Sequence, residues 1–116
     1  MFKMDAHLHW LIQDLADVPD GDTWLSKKER KLLSGLHIPK RRNDWRLGRW
    51  TAKCTCRAYQ PEIFPEFSQM EIIAAEDGGP DIYRVEDNCP PYSISISHSN
   101  DRGFCTVAPP RVPPSN

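Results

Sequence analysis

The stretch Tyr92–Val107, YSISISHSNDRGFCTV, decides the fold that we predict for this chain of 116 residues. It begins with a strict alternation in which Ile94 and Ile96 fall on one face of the strand, and Ser93, Ser95 and Ser97 fall on the other. An apolar residue at every second position predicts a β-strand with one buried and one exposed face.

The same stretch predicts a hairpin with polar residues near its turn. Asn100–Gly103 indicates a loop of several residues, and Phe104–Val107 is predicted to return as the second strand. The first strand delivers His98 between Ser97 and Ser99, and these three side chains together can donate hydrogen bonds to an anion. A single histidine after a strand is more often an ordinary loop residue, so this interpretation depends on the rest of the chain.

Charge is strongly segregated along a chain whose formal net charge is only −1. Of the 15 lysines and arginines, 11 fall between Lys27 and Arg57, and only Glu29 and Asp44 oppose them there. These cations are Lys27, Lys28, Arg30, Lys31, Lys40, Arg41, Arg42, Arg46, Arg49, Lys53 and Arg57. Such segregation predicts a positive patch that attracts phosphates.

Two helices are predicted within this basic region. Ser26 and Glu29 form a capping-box pattern at the start of the first helix, which should end near Gly35. Pro39 suits the first turn of a second helix, predicted over Pro39–Tyr59.

Four cations of the second helix lie on one narrow stripe, because their spacing is i, i+4, i+7 and i+11. They are Arg42, Arg46, Arg49 and Lys53, hereafter the basic stripe. Apolar and aromatic residues flank the stripe on both sides, which predicts a stripe lining a cleft. A solvated basic face is the alternative.

The predicted core comprises Trp45, Trp50, Ile94, Ile96, Phe104 and Val107.

The remaining elements predict an α+β domain. Short strands are expected at Ala6–Ile12, Met70–Ala75 and Ile82–Val85, so one strand and two helices precede about four strands. This order favours a mainly antiparallel sheet with the helices packed on it. We expect one domain over residues 1–108 and a frayed proline-rich tail over 109–116.

The cysteines and the N-terminus indicate the cellular compartment in which we expect the protein. Cys54, Cys56, Cys89 and Cys105 lack zinc-ligand spacing, which favours buried free thiols. We see no signal peptide and no membrane span, so a cytoplasmic protein is expected. No metal site is predicted in the chain.

Three stretches in order resemble the 4′-phosphopantetheinyl transferases of the surfactin-synthetase-activating type. Pro39–Lys53 resembles the family's basic helix, Glu76–Pro80 resembles its turn with Gly, Lys or Arg, and Pro, and Ile94–Ser99 resembles its strand end with Ser-His-Ser. Order and spacing agree over roughly Trp24–Ala108. The resemblance covers the N-terminal half of such enzymes.

This resemblance implies one half of a two-half α+β fold and a transfer reaction. Coenzyme A binds between the halves, Mg²⁺ holds its pyrophosphate, and phosphopantetheine passes to a serine of an acyl or peptidyl carrier protein. By the same resemblance, the residues of this chain that bind coenzyme A phosphates would be Arg42, Arg46, Arg49, Lys53, Ser97, His98 and Ser99.

The chain departs from the family in ways that leave enzymatic activity undecided. Gly79 stands where the turn usually has Lys or Arg, and Lys27–Lys31 match the family's first-helix cations only loosely. The metal-binding strand with Gly-x-Asp-x-Glu does not follow Val107. We therefore expect a truncated form or a stand-alone half, without catalytic or metal-binding residues of its own, inactive alone and forming a homodimer or pairing with a missing second half.

Two other classes of function compete with this interpretation. The basic helix with its tryptophans is compatible with a non-catalytic nucleic-acid-binding module, although the net charge of −1 and the lack of a recognised motif argue against it. A protein-interaction module without any small ligand is the third possibility.

Overall fold

The computed structural model describes residues 9–62, 66–74, 80–85 and 92–108. Two helices and five strands make up this part of the chain, together with short 3₁₀ turns at Leu15–Asp17 and Phe67–Gln69. The elements are β1 (His9–Asp14), α1 (Lys27–Ser34), α2 (Pro39–Tyr59), β2 (Met70–Ala74), β3 (Pro80–Arg84), β4 (Tyr92–Ser99) and β5 (Arg102–Ala108).

The five strands form a single sheet in the order β1-β5-β4-β3-β2, and every neighbouring pair is antiparallel. Helix α2 lies across one face of this sheet and contacts β1, β4 and β5, while α1 contacts β2. The predicted α+β class, with two helices packed on an antiparallel sheet, is confirmed.

The turn of the β4–β5 hairpin is shorter than we predicted. Only Asn100 and Asp101 lie between the strands, and both have positive φ, 52° and 62°. Positive φ at both central residues is the geometry of a tight two-residue hairpin, and Asn and Asp tolerate it best among residues other than glycine. The predicted loop of several residues is therefore wrong, and Gly103 belongs to β5, where it pairs with His98.

Gly103 serves helix packing and not the turn. A Cβ at this position would lie 2.7 Å from Thr51 Oγ1 and 3.1 Å from Leu47 Cγ, both on α2. Real Cβ atoms do not approach other atoms so closely, so the absence of a side chain lets α2 lie directly on β5.

The predicted core is partly confirmed. Ile94 and Val107 are buried between α2 and the sheet, and Ile96 packs half-buried against the same cluster. Trp45 and Trp50 pack half-buried against a second cluster around Leu25. This second cluster joins α1 and α2 to the segment that precedes α1.

Phe104 was wrongly predicted to be in the core, since 38% of it is exposed. In β5 the buried residues are Gly103, Cys105 and Val107, so alternation turns Phe104 to the face that α2 does not cover. Trp10 and Ile12 of β1 lie on the same face, 57% and 53% exposed. Trp10, Ile12 and Phe104 are hereafter the outer apolar face.

The helix boundaries confirm the sequence signals. The Ser26 hydroxyl accepts from the main-chain N–H of Glu29, and the Glu29 carboxylate accepts from that of Ser26. Helix α1 ends at its C-cap Gly35, and α2 starts with Pro39 in its first turn.

Other predictions shift by a few residues or fall outside the described ranges. The first strand runs over His9–Asp14, two residues beyond its predicted end, and Ala6–Leu8 lie outside the description. The turn at Glu76–Gly79, Cys89 and the tail over 109–116 also lie outside it. Within the described residues, no helix is long and apolar enough to cross a membrane.

Candidate functional site

A surface groove of about 560 Å³ opens where β4 ends and β5 begins. Three of the predicted site residues, Ser97, His98 and Ser99, line it. The other lining residues are Ile12, Asn100, Arg102, Gly103 and Phe104. The groove thus combines hydroxyl, imidazole and guanidinium donors with an apolar wall.

The three predicted residues do not all face the same way. They are the last three of β4, where consecutive side chains alternate between the two faces of the sheet. His98 is on the face toward α2, and its Nδ1 lies 3.9 Å from Asp44 Oδ2. Ser97 and Ser99 therefore flank His98 along the groove and do not converge on it from the same face.

Asp44 connects His98 to the first turns of α2. Its Oδ2 accepts a hydrogen bond of 3.0 Å from Lys40 Nζ, an i, i+4 pair on the helix surface. A cation on α2 and an imidazole on β4 therefore approach the same carboxylate oxygen.

Arg42, the first residue of the basic stripe, holds the two helices together. Its Nη1 donates to the carbonyls of Leu33 and Leu36 at 2.9 and 3.0 Å. Leu33 lies in the last turn of α1 and Leu36 follows the helix, so Arg42 fastens the end of α1 to α2.

Arg46 anchors the segment before α1. It forms an ion pair with Asp22 and donates to the carbonyl of Pro19, while its guanidinium carbon lies 5.5 Å from the centre of a Trp24 ring. Only 13% of its side chain is exposed.

Lys53 is fully buried. Its Nζ donates to Glu29 Oε1 at 2.5 Å and to the carbonyls of Trp24 and Phe67 at 3.0 Å each. Burial lowers the pKa of Lys53, and the neighbouring Glu29 carboxylate acts in the opposite direction. An ammonium has three donors, and all three are used inside the chain.

Arg49 differs from the other members of the stripe. Its Nη2 donates to the carbonyl of Ile72 at 3.2 Å, and its guanidinium lies 4.2 Å above a Trp45 ring. Its Nε is buried and has no hydrogen-bond partner among the described residues. Desolvation lowers the pKa of Arg49, and the charge of Glu29 opposes that shift. Arg49 is thus the stripe residue with a donor left to satisfy.

The structure does not bring the basic stripe and the groove together. None of Arg42, Arg46, Arg49 and Lys53 is among the groove-lining residues, and main-chain carbonyls, Asp22 and Glu29 contact them instead. Arg46 lines a separate pocket of about 240 Å³ with Val18, Pro19 and Asn43, whereas the described hydrogen bonds of Arg42, Arg49 and Lys53 go to the protein's own chain. The described residues therefore do not show one cleft that runs along the whole stripe. Phosphate binding by these four residues stays a prediction.

Magnesium, which the resemblance implies, does not fit the described donor set. Among the residues that the structure describes, no three His, Cys, Asp or Glu side chains are grouped to hold a metal ion. Asp101 occupies the hairpin turn, while Glu76 and Asp77 lie outside the description.

Solved structures with the same fold define the class. No family model matches the sequence, and no curated protein does. The fold matches that of a holo-acyl-carrier-protein synthase from Bacillus anthracis in complex with CoA (3′,5′-ADP), with a TM-score of 0.71 and 20% identity over 90% of this chain and 95% of that one.

Two further crystal structures agree. The synthase from Helicobacter pylori in complex with coenzyme A has a TM-score of 0.65 and 18% identity, covering 88% of this chain and 98% of that one. The synthase from Plasmodium yoelii has a TM-score of 0.71 and 12% identity, covering 92% and 96%. The chain therefore has the α+β fold of the holo-acyl-carrier-protein synthases.

Sequence reasoning missed Lys40, Asp44 and Arg102. Lys40 and Asp44 were noted only as part of the charge distribution, although their i, i+4 spacing was a readable signal of a pair. Their approach to His98 depends on how α2 crosses β4, which no local pattern shows.

Proposed function

We propose that this chain is a 4′-phosphopantetheinyl-transferase-like protein that binds the phosphates of coenzyme A. In this proposal it corresponds to the N-terminal half of the surfactin-synthetase-activating type, and an acyl or peptidyl carrier protein is the partner whose serine receives phosphopantetheine. The three residues at the end of β4 would bind the phosphates, His98 from the face toward α2 and Ser97 and Ser99 from the groove. Arg49 is the stripe cation with a buried donor that has no described partner.

One observation carries the proposal. The fold aligns over about nine tenths of the chain with synthases whose crystal structures hold coenzyme A, and the Ser-His-Ser strand end of this chain lines an open groove. Charge-assisted hydrogen bonds from imidazolium and guanidinium groups are the usual means of holding phosphate.

The proposal includes a dependence on a second polypeptide unit. The donor set of the described residues does not fit Mg²⁺, so this chain alone should hold coenzyme A without transferring its arm. The outer apolar face is where a second copy or a separate half would pack. The free thiols Cys54, Cys56 and Cys105 fit the reducing conditions of the cytoplasm.

The contacts of the basic stripe give little support to the nucleic-acid-binding alternative. Arg42, Arg46 and Lys53 each donate to the protein's own carbonyls or carboxylates, so the stripe is not the freely exposed basic face that a nucleic-acid-binding helix presents. No described contact favours a pure protein-interaction module either.

Two measurements test the proposal. Calorimetric titration with 3′,5′-ADP should show saturable binding, which Ser97→Ala and Arg49→Gln weaken and Arg41→Gln, an exposed neighbour on α2, does not. Mass spectrometry of an apo-carrier protein incubated with coenzyme A, Mg²⁺ and this chain should show no added arm. Absence of any binding heat, or a salt-sensitive oligonucleotide complex in its place, would contradict the proposal.

A further inference from the structure

An ammonium from α2 and an imidazole from β4 approach one carboxylate at the end of β4, on the face of the sheet toward α2. Asp44 Oδ2 lies 3.0 Å from Lys40 Nζ on α2 and 3.9 Å from His98 Nδ1 on β4. The side chains of Lys40 and His98 are 78% and 43% exposed, whereas that of Asp44 between them is only 22% exposed. Lys40 and His98 are thus the more solvent-exposed groups, and the Asp44 side chain between them is the more buried one.

We infer that Lys40 and His98 form a phosphate-binding pair, and that the Asp44 carboxylate occupies the place of the phosphate in the free protein. The inference rests on the proposed function, because it adds residues to the same phosphate site. It assigns to that site a cation, Lys40, and a competing anion, Asp44.

The chemistry supports a phosphate monoester or a pyrophosphate as the ligand. A carboxylate between an ammonium and an imidazole presents anionic acceptor oxygens to both, and a phosphate group presents the same with more charge. Lys is a common phosphate ligand that acts as a point charge on a flexible stem, so Lys40 can move from Asp44 to an incoming phosphate without a change of backbone.

The other charges near the groove do not occupy this position. Arg102 of β5 lies 3.4 Å from Asp14 of β1, on the side of the sheet away from α2. A phosphate that binds at His98 must therefore either displace the Asp44 carboxylate or bind next to it. Repulsion between Asp44 and the phosphate lowers the affinity that Lys40 and His98 would otherwise confer.

Removal of the Asp44 charge tests this directly. In calorimetric titrations with 3′,5′-ADP and with inorganic pyrophosphate, Asp44→Asn should bind about threefold to tenfold more tightly than the unmodified chain. Lys40→Ala should bind about tenfold more weakly, and should remove most of the gain when it is combined with Asp44→Asn. Glu62→Gln, which removes an exposed carboxylate just after α2, is the matched control for Asp44→Asn and should change nothing.

The outcomes separate this inference from the proposed function. Tighter pyrophosphate binding by Asp44→Asn that depends on Lys40, without any 3′,5′-ADP binding, would support the pair and contradict the coenzyme A proposal. Binding of 3′,5′-ADP that Lys40→Ala leaves unchanged would overturn the pair and leave the proposed function standing. Equal or weaker binding by Asp44→Asn would mean that Asp44 and Lys40 are an ordinary helix-surface pair, and it would overturn the inference as well.

Discussion

The buried ammonium of Lys53 lies against the buried carboxylate of Glu29, with 2.5 Å between Nζ and Oε1. Both side chains also form hydrogen bonds to the main chain of other segments. The second Glu29 oxygen accepts from the main-chain N–H of Ile72, and Lys53 donates to the carbonyls of Trp24 and Phe67. One polar cluster therefore ties α1, α2, β2 and the segment before α1 together, and all of its donors are paired.

Loss of either partner should destabilise the fold strongly. Lys53→Met leaves the Glu29 carboxylate buried without its counter-charge, which costs about 3–5 kcal/mol in free energy of unfolding. The double variant Lys53→Met, Glu29→Gln should lose less than the two single variants added together, because no unpaired charge is then buried. Urea unfolding measures these differences, with Lys31→Met as an exposed control. Strictly additive losses would show that the two groups are not coupled.

The approach of α2 to β5 at Gly103 gives a second prediction. Gly103→Ala places a methyl group against Thr51 and Leu47, and such overpacking costs about 1–3 kcal/mol. Gly21→Ala is the control, because nothing lies within 4 Å of the added carbon there. Thermal unfolding followed by circular dichroism would show the difference. Equal midpoints for both variants would contradict the close contact.

Local signals predicted the elements of this fold well, since capping and helix starts depend on neighbouring residues. The box at Ser26 and Glu29 and the start at Pro39 were both readable from the sequence. The long-range partner of Glu29 was not readable, because Lys53 meets it only after α1 and α2 pack. A glycine near a turn signal can either form the turn or allow a neighbouring element to pack closely. Gly103 does the second, and its sequence context does not distinguish the two.

The candidate site was predicted less completely than the fold, for the same reason. The spacing of the basic stripe correctly put four cations on one face of α2, but spacing does not show what covers that face. Here the carbonyls of the segment before α1 and of β2 cover it. Main-chain acceptors have no signature in the sequence, so a covered stripe and an open cleft look alike.

The buried thiols predict a response to alkaline pH. Desolvation raises the pKa of Cys54 and of Cys105 to about 11, and burial also raises the pKa of Cys56. An unfolded thiol titrates near pH 8.5. The native state therefore keeps protons that the unfolded state loses, so this contribution to stability is complete below about pH 8.5 and declines as pH rises toward 11.

Thiol alkylation checks this in a Cys89→Ser background. At pH 8 the native chain should react far more slowly with iodoacetamide than the urea-unfolded chain, because the thiolate is the nucleophile and it is scarce in the folded state. Comparable rates in the two states would show that these thiols are neither buried nor protonated as described.

The outer apolar face predicts self-association. Trp10 and Phe104 contact each other across β1 and β5, with ring centroids 6.0 Å apart, on a sheet face that no described helix covers. Sedimentation at rising concentration should show a dimer or larger species, together with binding of an apolar dye. The double variant Trp10→Gln, Phe104→Gln should reduce both, whereas Leu32→Gln, which removes an exposed leucine on α1, should not. A monomer without dye binding would contradict the prediction.

His98 should make phosphate binding depend on pH in a definite direction. Histidine changes charge between about pH 5 and 8, and the charged ring donates from both nitrogens. The affinity for 3′,5′-ADP should therefore be higher for the unmodified chain than for His98→Ala by about tenfold or more at pH 6, and this ratio should shrink as pH rises to 8. The ratio isolates the imidazole, because the phosphate ionises identically with both chains and Asp44 is present in both.

His37→Ala is the matched control, since His37 is exposed between α1 and α2 and does not line the groove. Added salt should weaken binding by screening, but it should not remove the difference between His98→Ala and His37→Ala. A ratio that is constant from pH 6 to 8 would show that the charge of His98 plays no part in holding the phosphate.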